Sequence, residues 1–507
     1  MGGGDVFKSC RSSLVLRSTM VTRAKTLYRF SDYFRLNKPQ SQLDFVDIPL
    51  ETDIELYVDP YALHISPVDW LRVCGDLVVN YFQLLLTALK EQDREKAMML
   101  LSNLREPNET RLGQSKSSPQ GRGWGRKQAL QLYQTLSKSK AVGSGRLKDL
   151  SDFEMLMPGI GSDKISDLTI NVIRGELVAY TQEQCDLHNV PMENVPAGTY
   201  WNPEDERWEA HYADLPTYEG RGLILVPKVA VRRKLVADYM EFYTHHVLPF
   251  LEAEHIRAGD SLVHLLKNGE PKVYKEDLKA KYKVSKEFLY SFTEKNGRVL
   301  DKYKDSLPAK AANAIDDESI EGRQTKGRDI DRSLTVEALK AISPGIADAT
   351  AYQNFIIGAF TELFYPALTR PTKEQRVDEG RKRLDIFFYN SATTGFFSRL
   401  VNAHGYHAPY VTVECKNYSS DPKNNELDQL IGRLNRKRGF VGILACRTVE
   451  DKPLMLKRCR DVVNNNDKQL VLVLDDGDIL AMLGFAAKHE RAKIDELLED
   501  RLKDVLT

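Results

Sequence analysis

The chain has 507 residues, 42% of them hydrophobic and 28% charged, which is too long for one core and too apolar for a disordered protein. Its 72 basic and 72 acidic residues cancel, so overall charge makes no case for a nucleic-acid or membrane partner. No apolar run reaches the ~18 residues of a membrane span, and the 6 cysteines are scattered without a CxxC pair, which argues against a zinc module or a disulfide framework and fits a reducing, cytoplasmic setting.

Residues 1–40 read as a tail with a short helix, and 41–255 as a helix-rich α+β domain whose role the sequence does not assign. Between Leu43 and Val58, apolar residues are interspersed with Asp47, Asp53 and Glu55, and Asp59 precedes Pro60. Polar outer-face positions ending in a turn explain these acids better than a metal site does. A single helix is expected over 70–102. From Arg105 to Asp149 there are 10 basic residues against 3 acidic ones in a Gly/Ser-rich stretch, which suits a solvated loop and a phosphate-contacting loop equally. Helices are expected over 125–136 and 167–185. The second is entered through a Gly-rich turn that lacks the Gly-Lys-Ser/Thr of a P-loop. Residues 201–208 read as a turn-rich loop, 223–226 as a strand and 229–254 as a helix. The Lys-rich segment 256–310 contains two short helices, 273–282 and 285–295, whose charge pattern fits a solvated face better than a helix-turn-helix. Residues 311–344 read as a polar linker.

Residues 345–507 are expected to form an α/β domain with a mixed central sheet flanked by helices. A helix over 349–368 carries Glu362 beside its apolar stripe, and the strand 383–389 embeds Asp385 among apolar residues. In the strand 410–416 (YVTVECK), alternation puts Thr412, Glu414 and Lys416 on one face, with Glu414 and Lys416 roughly 7 Å apart along the strand. A helix over 426–438 carries Gln429, Arg433, Arg436, Lys437 and Arg438. An apolar strand (440–445), a helix (454–463), a strand (469–474) and a C-terminal helix follow. Continuously apolar strands alternating with helices imply a sheet covered on both faces.

The ordered set of helix glutamate, strand aspartate, strand Glu-x-Lys, Gln-bearing helix and apolar strand resembles the PD-(D/E)XK nuclease superfamily, with its restriction-endonuclease-like fold. Its layout is similar to the Mrr-type and archaeal-resolvase branches. The resemblance covers 345–507 only, and Leu384 rather than a proline precedes Asp385. It implies Asp385 and Glu414 as ligands of Mg²⁺, for which Mn²⁺ can substitute, with the backbone carbonyl of Cys415 as a third ligand and Glu362 as the holder of a second ion. Hard cations prefer such oxygen donors. Lys416 would position the attacking water, Gln429 would orient Lys416 or a phosphate, and Arg433, Arg436, Lys437 and Arg438 would contact the nucleic-acid backbone. The implied function is a DNA endonuclease of a restriction or anti-phage defence system. Its partners would be DNA before RNA, and a second copy of the chain or another defence protein; the N-terminal region would sense or regulate. An RNase, a repair nuclease, or a non-catalytic binding or assembly protein on the same core are the alternatives. A surface Glu414–Lys416 ion pair would contribute little, but the apolar neighbours make an idle acid costly there.

Overall fold

The computed structural model describes residues 28–113, 126–143, 147, 150–157, 159–311, 314–323, 334–373, 386–465 and 469–507. In the front half, α1 (Asp69–Lys90) buries Trp70, Leu71, Cys74, Val78, Tyr81, Phe82, Leu85 and Leu89, the 3.6-residue stripe of an amphipathic helix. By length and composition it is the one described helix that could cross a membrane, yet half of its most apolar stretch is buried inside the protein. The single helix expected over 70–102 is two. Gln92 takes φ 58°, and the Asp93 carboxylate accepts the Lys96 N–H to start a second helix, Arg94–Ser102.

The helix expected over 167–185 likewise divides at Ile173 into α2 (Ser162–Val172) and α3 (Arg174–His188). The expected loop at 201–208 is the tip of a hairpin, β1 (Glu193–Asn202) with β2 (Arg207–Leu215). Trp201 pairs with Trp208 across it, and the Asn202 side chain accepts the N–H groups of Glu204 and Asp205 to close the turn. Residues 43–58 are largely irregular. Only Tyr57–Val58 form a ladder, with Val231–Arg232, and the strand expected at 223–226 reduces to a bridge from Phe45 to Pro227. Two of the four acids point inward, against expectation, while Glu55 is exposed as expected and Asp53 is half-buried. Asp47 and Asp59 are each 1% exposed; Asp47 accepts the N–H and hydroxyl of Ser31, and Asp59 caps the turn at Tyr61 and Ala62.

The back half has its own core. Here α4 (Ala349–Phe364) is followed by β3 (Leu368–Lys373), β4 (Ile386–Asn390), α5 (Gly395–Asn402), β5 (Tyr410–Lys416), α6 (Asn424–Ile431), β6 (Val441–Cys446), α7 (Lys452–Asn465), β7 (Leu470–Asp475), α8 (Asp476–Ala487) and α9 (Arg491–Leu506). The sheet order is β7-β6-β5-β4-β3. Strands β5, β6 and β7 run parallel, in a register that aligns Val413, Ile443 and Leu472, and β4 is antiparallel to both of its neighbours. All six residues of β6 are buried, as a central strand covered on both faces requires. The first helix ends at Phe364 rather than 368, and β3 was not anticipated because Pro371 interrupts it. An edge strand tolerates proline, which withholds a hydrogen bond only from the open side.

The two cores meet along β3. Arg370, at φ 50°, donates its backbone N–H to Asp44 (2.8 Å) and its guanidinium to both Glu183 oxygens (2.9 Å each). The guanidinium lies 4.8 Å from the Trp70 ring and 5.1 Å from that of Tyr389. Tyr180 donates to the other Asp44 oxygen at 2.7 Å. Burial pushes the Asp44 carboxyl up, opposed by the Tyr180 and Arg370 hydrogen bonds. Residues 314–323 of the expected linker also pack here, whereas Leu334–Ala341 form a helix against α4. Lys228, fully buried, holds Asp317 at 2.7 Å and lies over the Tyr365 ring, and Tyr365 donates to the Ile315 carbonyl.

Arg370→Ala is expected to lower stability by about 2 kcal/mol, below the cost of breaking a fully buried pair because Glu183 is partly exposed; urea unfolding measures it. A second expectation concerns Asp167, which is 9% exposed. Burial first, then Asp163, Glu106 and Asp53, push its carboxyl up to about 8. The unfolded chain therefore ionises it at lower pH than the folded one, and stability is lost as pH rises from the ordinary carboxylate range through 8. Asp167→Asn should melt about 5 °C above wild type at pH 8, with the gap closing toward pH 4.

Candidate active site at the end of the central strand

The Glu-x-Lys pair lies at the C-terminal end of β5, where parallel strands of open α/β sheets place their ligand sites. Glu414 is 7% exposed. Alternation turns Glu414 and Lys416 to the same side, and their side chains close the gap between their backbone positions: Lys416 Nζ lies 2.7 Å from Glu414 Oε1. The ammonium also donates to Gln429 Oε1 at 3.2 Å. A second cation completes the carboxylate's surroundings, as Arg433 Nη1 donates to Glu414 Oε2.

This cluster lines a cleft of about 720 Å³ between the first turns of α4 (Ala349, Thr350, Gln353), the end of β5 as far as Tyr418, and α6 with its following turn (Asp428, Gln429, Arg433). One rim is tied down by Asn417, which is 3% exposed and donates its amide to the carbonyls of Ser343 and Gly345 (2.9 and 2.8 Å). The Gly345 N–H returns a bond to the Asn417 carbonyl at 2.6 Å. Gly345 sits at φ 128°, a conformation that a side chain disfavours. The start of α4 is held from the far side: Tyr352 donates to Asp476, which pairs with Arg447 at 3.1 Å.

Of the residues predicted for the site, the structure brings together Glu414, Cys415, Lys416, Gln429 and Arg433. Asp385 lies outside the described residues; the next residue, Ile386, is paired with Val413, the neighbour of Glu414. Glu362 is elsewhere. It stands nine residues beyond Gln353 on α4, roughly 13 Å along the axis at 1.5 Å per residue. It accepts a hydrogen bond from Gln42 and lines a separate cleft with Asp316, Asp317 and His489. The helix expected over 426–438 stops at Ile431. Asn435 accepts the N–H groups of Lys437 and Arg438 and forms a bridge with Gly439 at φ 97°, so the polypeptide turns instead of continuing as helix. Arg433, Arg436, Lys437 and Arg438 therefore sit on a turn. Arg436 and Lys437 are exposed, Arg438 covers the Phe387 ring at 5.1 Å, and Arg433 faces inward to Glu414.

Gln353, Asn417, Tyr418 and Asp428 were not singled out from the sequence. Gln353 is a polar residue set into the apolar α4 stripe between Tyr352 and Phe355, and that was the available signal. Tyr418 is 37% exposed, its ring centre 5.9 Å from Lys416 Nζ.

Chemically, the cleft combines carboxylates (Glu414, Asp428), amide oxygens (Gln353, Gln429) and cations. This oxygen-rich donor set fits a hard divalent ion.

Comparison with known proteins reaches only the front of the chain. A family described as "Domain of unknown function (DUF8370)" matches residues 35–238. That stretch includes α1, α2, α3 and both strands of the hairpin, and ends before the cleft residues. No curated protein and no solved structure matches the chain.

Removing the shared anion should expose the cost of this arrangement. Glu414→Ala leaves two largely buried cations facing each other, and a loss of about 3 kcal/mol in urea unfolding is expected.

Proposed function

We propose that this cleft is a phosphodiester hydrolysis site assisted by a divalent cation, acting on nucleic acid and on DNA before RNA. The observation that carries the reading is the Glu414–Lys416 contact at the end of a central strand, opening into a polar cleft. The surrounding topology supports it. The helix α4, the strands β4 and β5, the helix α6 and the strand β6 follow one another in the order of elements on which the resemblance rests. Asp385 and Glu414 would hold the ion, with the Cys415 carbonyl. When bound, the ion would supply a more acidic water and neutralise phosphate charge.

The protein's own groups have distinct tasks in this reading. Gln429 and Glu414 fix the Lys416 ammonium, leaving it a proton to donate toward a water or a non-bridging phosphate oxygen. Of the basic residues predicted to contact nucleic acid, Arg433 alone lines the cleft; Arg436 and Lys437 lie beside His407, at the other end of β5, and would meet a polyanion only there. Tyr418 offers an exposed ring for a base. The N-terminal region, which contacts β3 through Arg370, would sense or regulate in a restriction or defence enzyme.

One observation favours a second reading. Glu414 is already neutralised by two cations, which suits a structural ion cluster in a non-catalytic binding or assembly protein. Incubation of the full chain with plasmid and with RNA, in Mg²⁺ and in EDTA, separates the two. Cleavage is expected in Mg²⁺ alone, reduced at least ~100-fold by Asp385→Ala and by Lys416→Ala. No cleavage of either substrate with any divalent ion, or wild-type rates in both variants, sinks the nuclease reading.

A further inference from the structure

We infer that Arg433 is a guard on the candidate cation site, holding the Glu414 carboxylate until an anion draws the guanidinium away. The inference rests on the reading of Glu414 as a cation ligand.

The two cations on Glu414 are placed differently. Lys416 rises from the same strand and is also bonded to Gln429. Arg433 reaches across from the turn after α6, one residue past Gly432, and takes the other carboxylate oxygen. Its own backbone is committed to that turn: its N–H donates to the Leu430 carbonyl and its carbonyl accepts from Asn435. The side chain is 15% exposed, so the contact with Glu414 is largely shielded from water.

A divalent ion on Glu414 Oε2 would stand against this guanidinium. Like charges a few ångströms apart in a shielded site repel strongly, so the ion and the Arg433–Glu414 contact compete. A phosphodiester is the natural alternative partner, because its paired oxygens match the guanidinium fork. Cation binding and substrate entry are then coupled. The resting protein, with Arg433 in place, binds the ion weakly.

The experiment is calorimetric titration of Mn²⁺ into the full-length protein, without nucleic acid. Wild type is compared with Arg433→Gln, Arg433→Lys and Glu414→Gln, each checked for folding by near-UV circular dichroism. Arg433→Gln is expected to bind Mn²⁺ about tenfold tighter than wild type, Arg433→Lys to stay near wild type, and Glu414→Gln to lose binding. Arg433→Met, which keeps the aliphatic stem, serves in place of the Gln variant if that does not fold. Equal or weaker binding by the Gln or Met variant overturns the guard; if Glu414→Gln still abolishes binding, the cation site survives that failure. Absence of Mn²⁺ binding in every protein overturns both. Tighter binding by Arg433→Gln without any Mg²⁺-dependent cleavage upholds the guard and defeats the phosphodiester reading instead.

Discussion

Arg370 ties the two halves of the molecule together. Its guanidinium is bonded to α3 through Glu183 and lies between Trp70 of α1 and Tyr389 of β4. Its backbone N–H is committed to Asp44. One residue therefore fixes the edge strand β3 against the front core, and β4 against β3. Because β5 pairs with β4, the position of Glu414 is inherited from that seam. A guanidinium suits this place because its planar fork meets a carboxylate and its faces meet aromatic rings at once. A lysine could supply the charge but neither the fork nor the stacking.

The same logic recurs on a smaller scale at the end of β5. A nearly buried carboxylate persists only if its charge is answered. Here Lys416 and Arg433 answer it and Gln429 orients the answer. Such a cluster can serve two ends. With its cations in place it is a structural node, and with one displaced it becomes a source of exposed negative charge at the bottom of a cleft. In the proposed reading stability and chemistry are therefore opposed in the same few side chains, and the further role inferred for Arg433 follows from that opposition.

Much of the back half was legible because its strands are unusual in sequence. The run at 410–416 alternates its apolar residues with Thr412, Glu414 and Lys416, and the runs at 441–446 and 470–475 are short, apolar and bounded by polar turns. Only strands buried on both faces read that way. The elements that were missed have local causes. β3 contains Pro371, which a sheet accepts only at an edge, and edge position is a property of the assembled sheet. The hairpin at 193–215 has a polar outer face and a turn stabilised by its own Asn202, so its tip at 201–208 reads as loop. The front half was read poorly at 43–58 because its acids alternate with apolar residues as a strand's outer face would, whereas Asp47 and Asp59 turn inward to satisfy backbone and hydroxyl donors.

The candidate site divides in the same way. By itself the sequence determined the chemistry on one strand: alternation puts Glu414 and Lys416 on the same side wherever the strand lies, and the apolar residues around them mark that strand as buried. Tertiary structure alone decided who joins them. Gln353, near the start of α4, enters the cleft, and Glu362, about two and a half turns further along the helix, does not. Arg433 faces inward because Asn435 and Gly439 end the helix before it. Residue spacing constrains a side chain only within its own element, whereas a site is assembled from several elements whose relative placement depends on contacts, such as that of Arg370 with Asp44, formed between residues more than 300 positions apart.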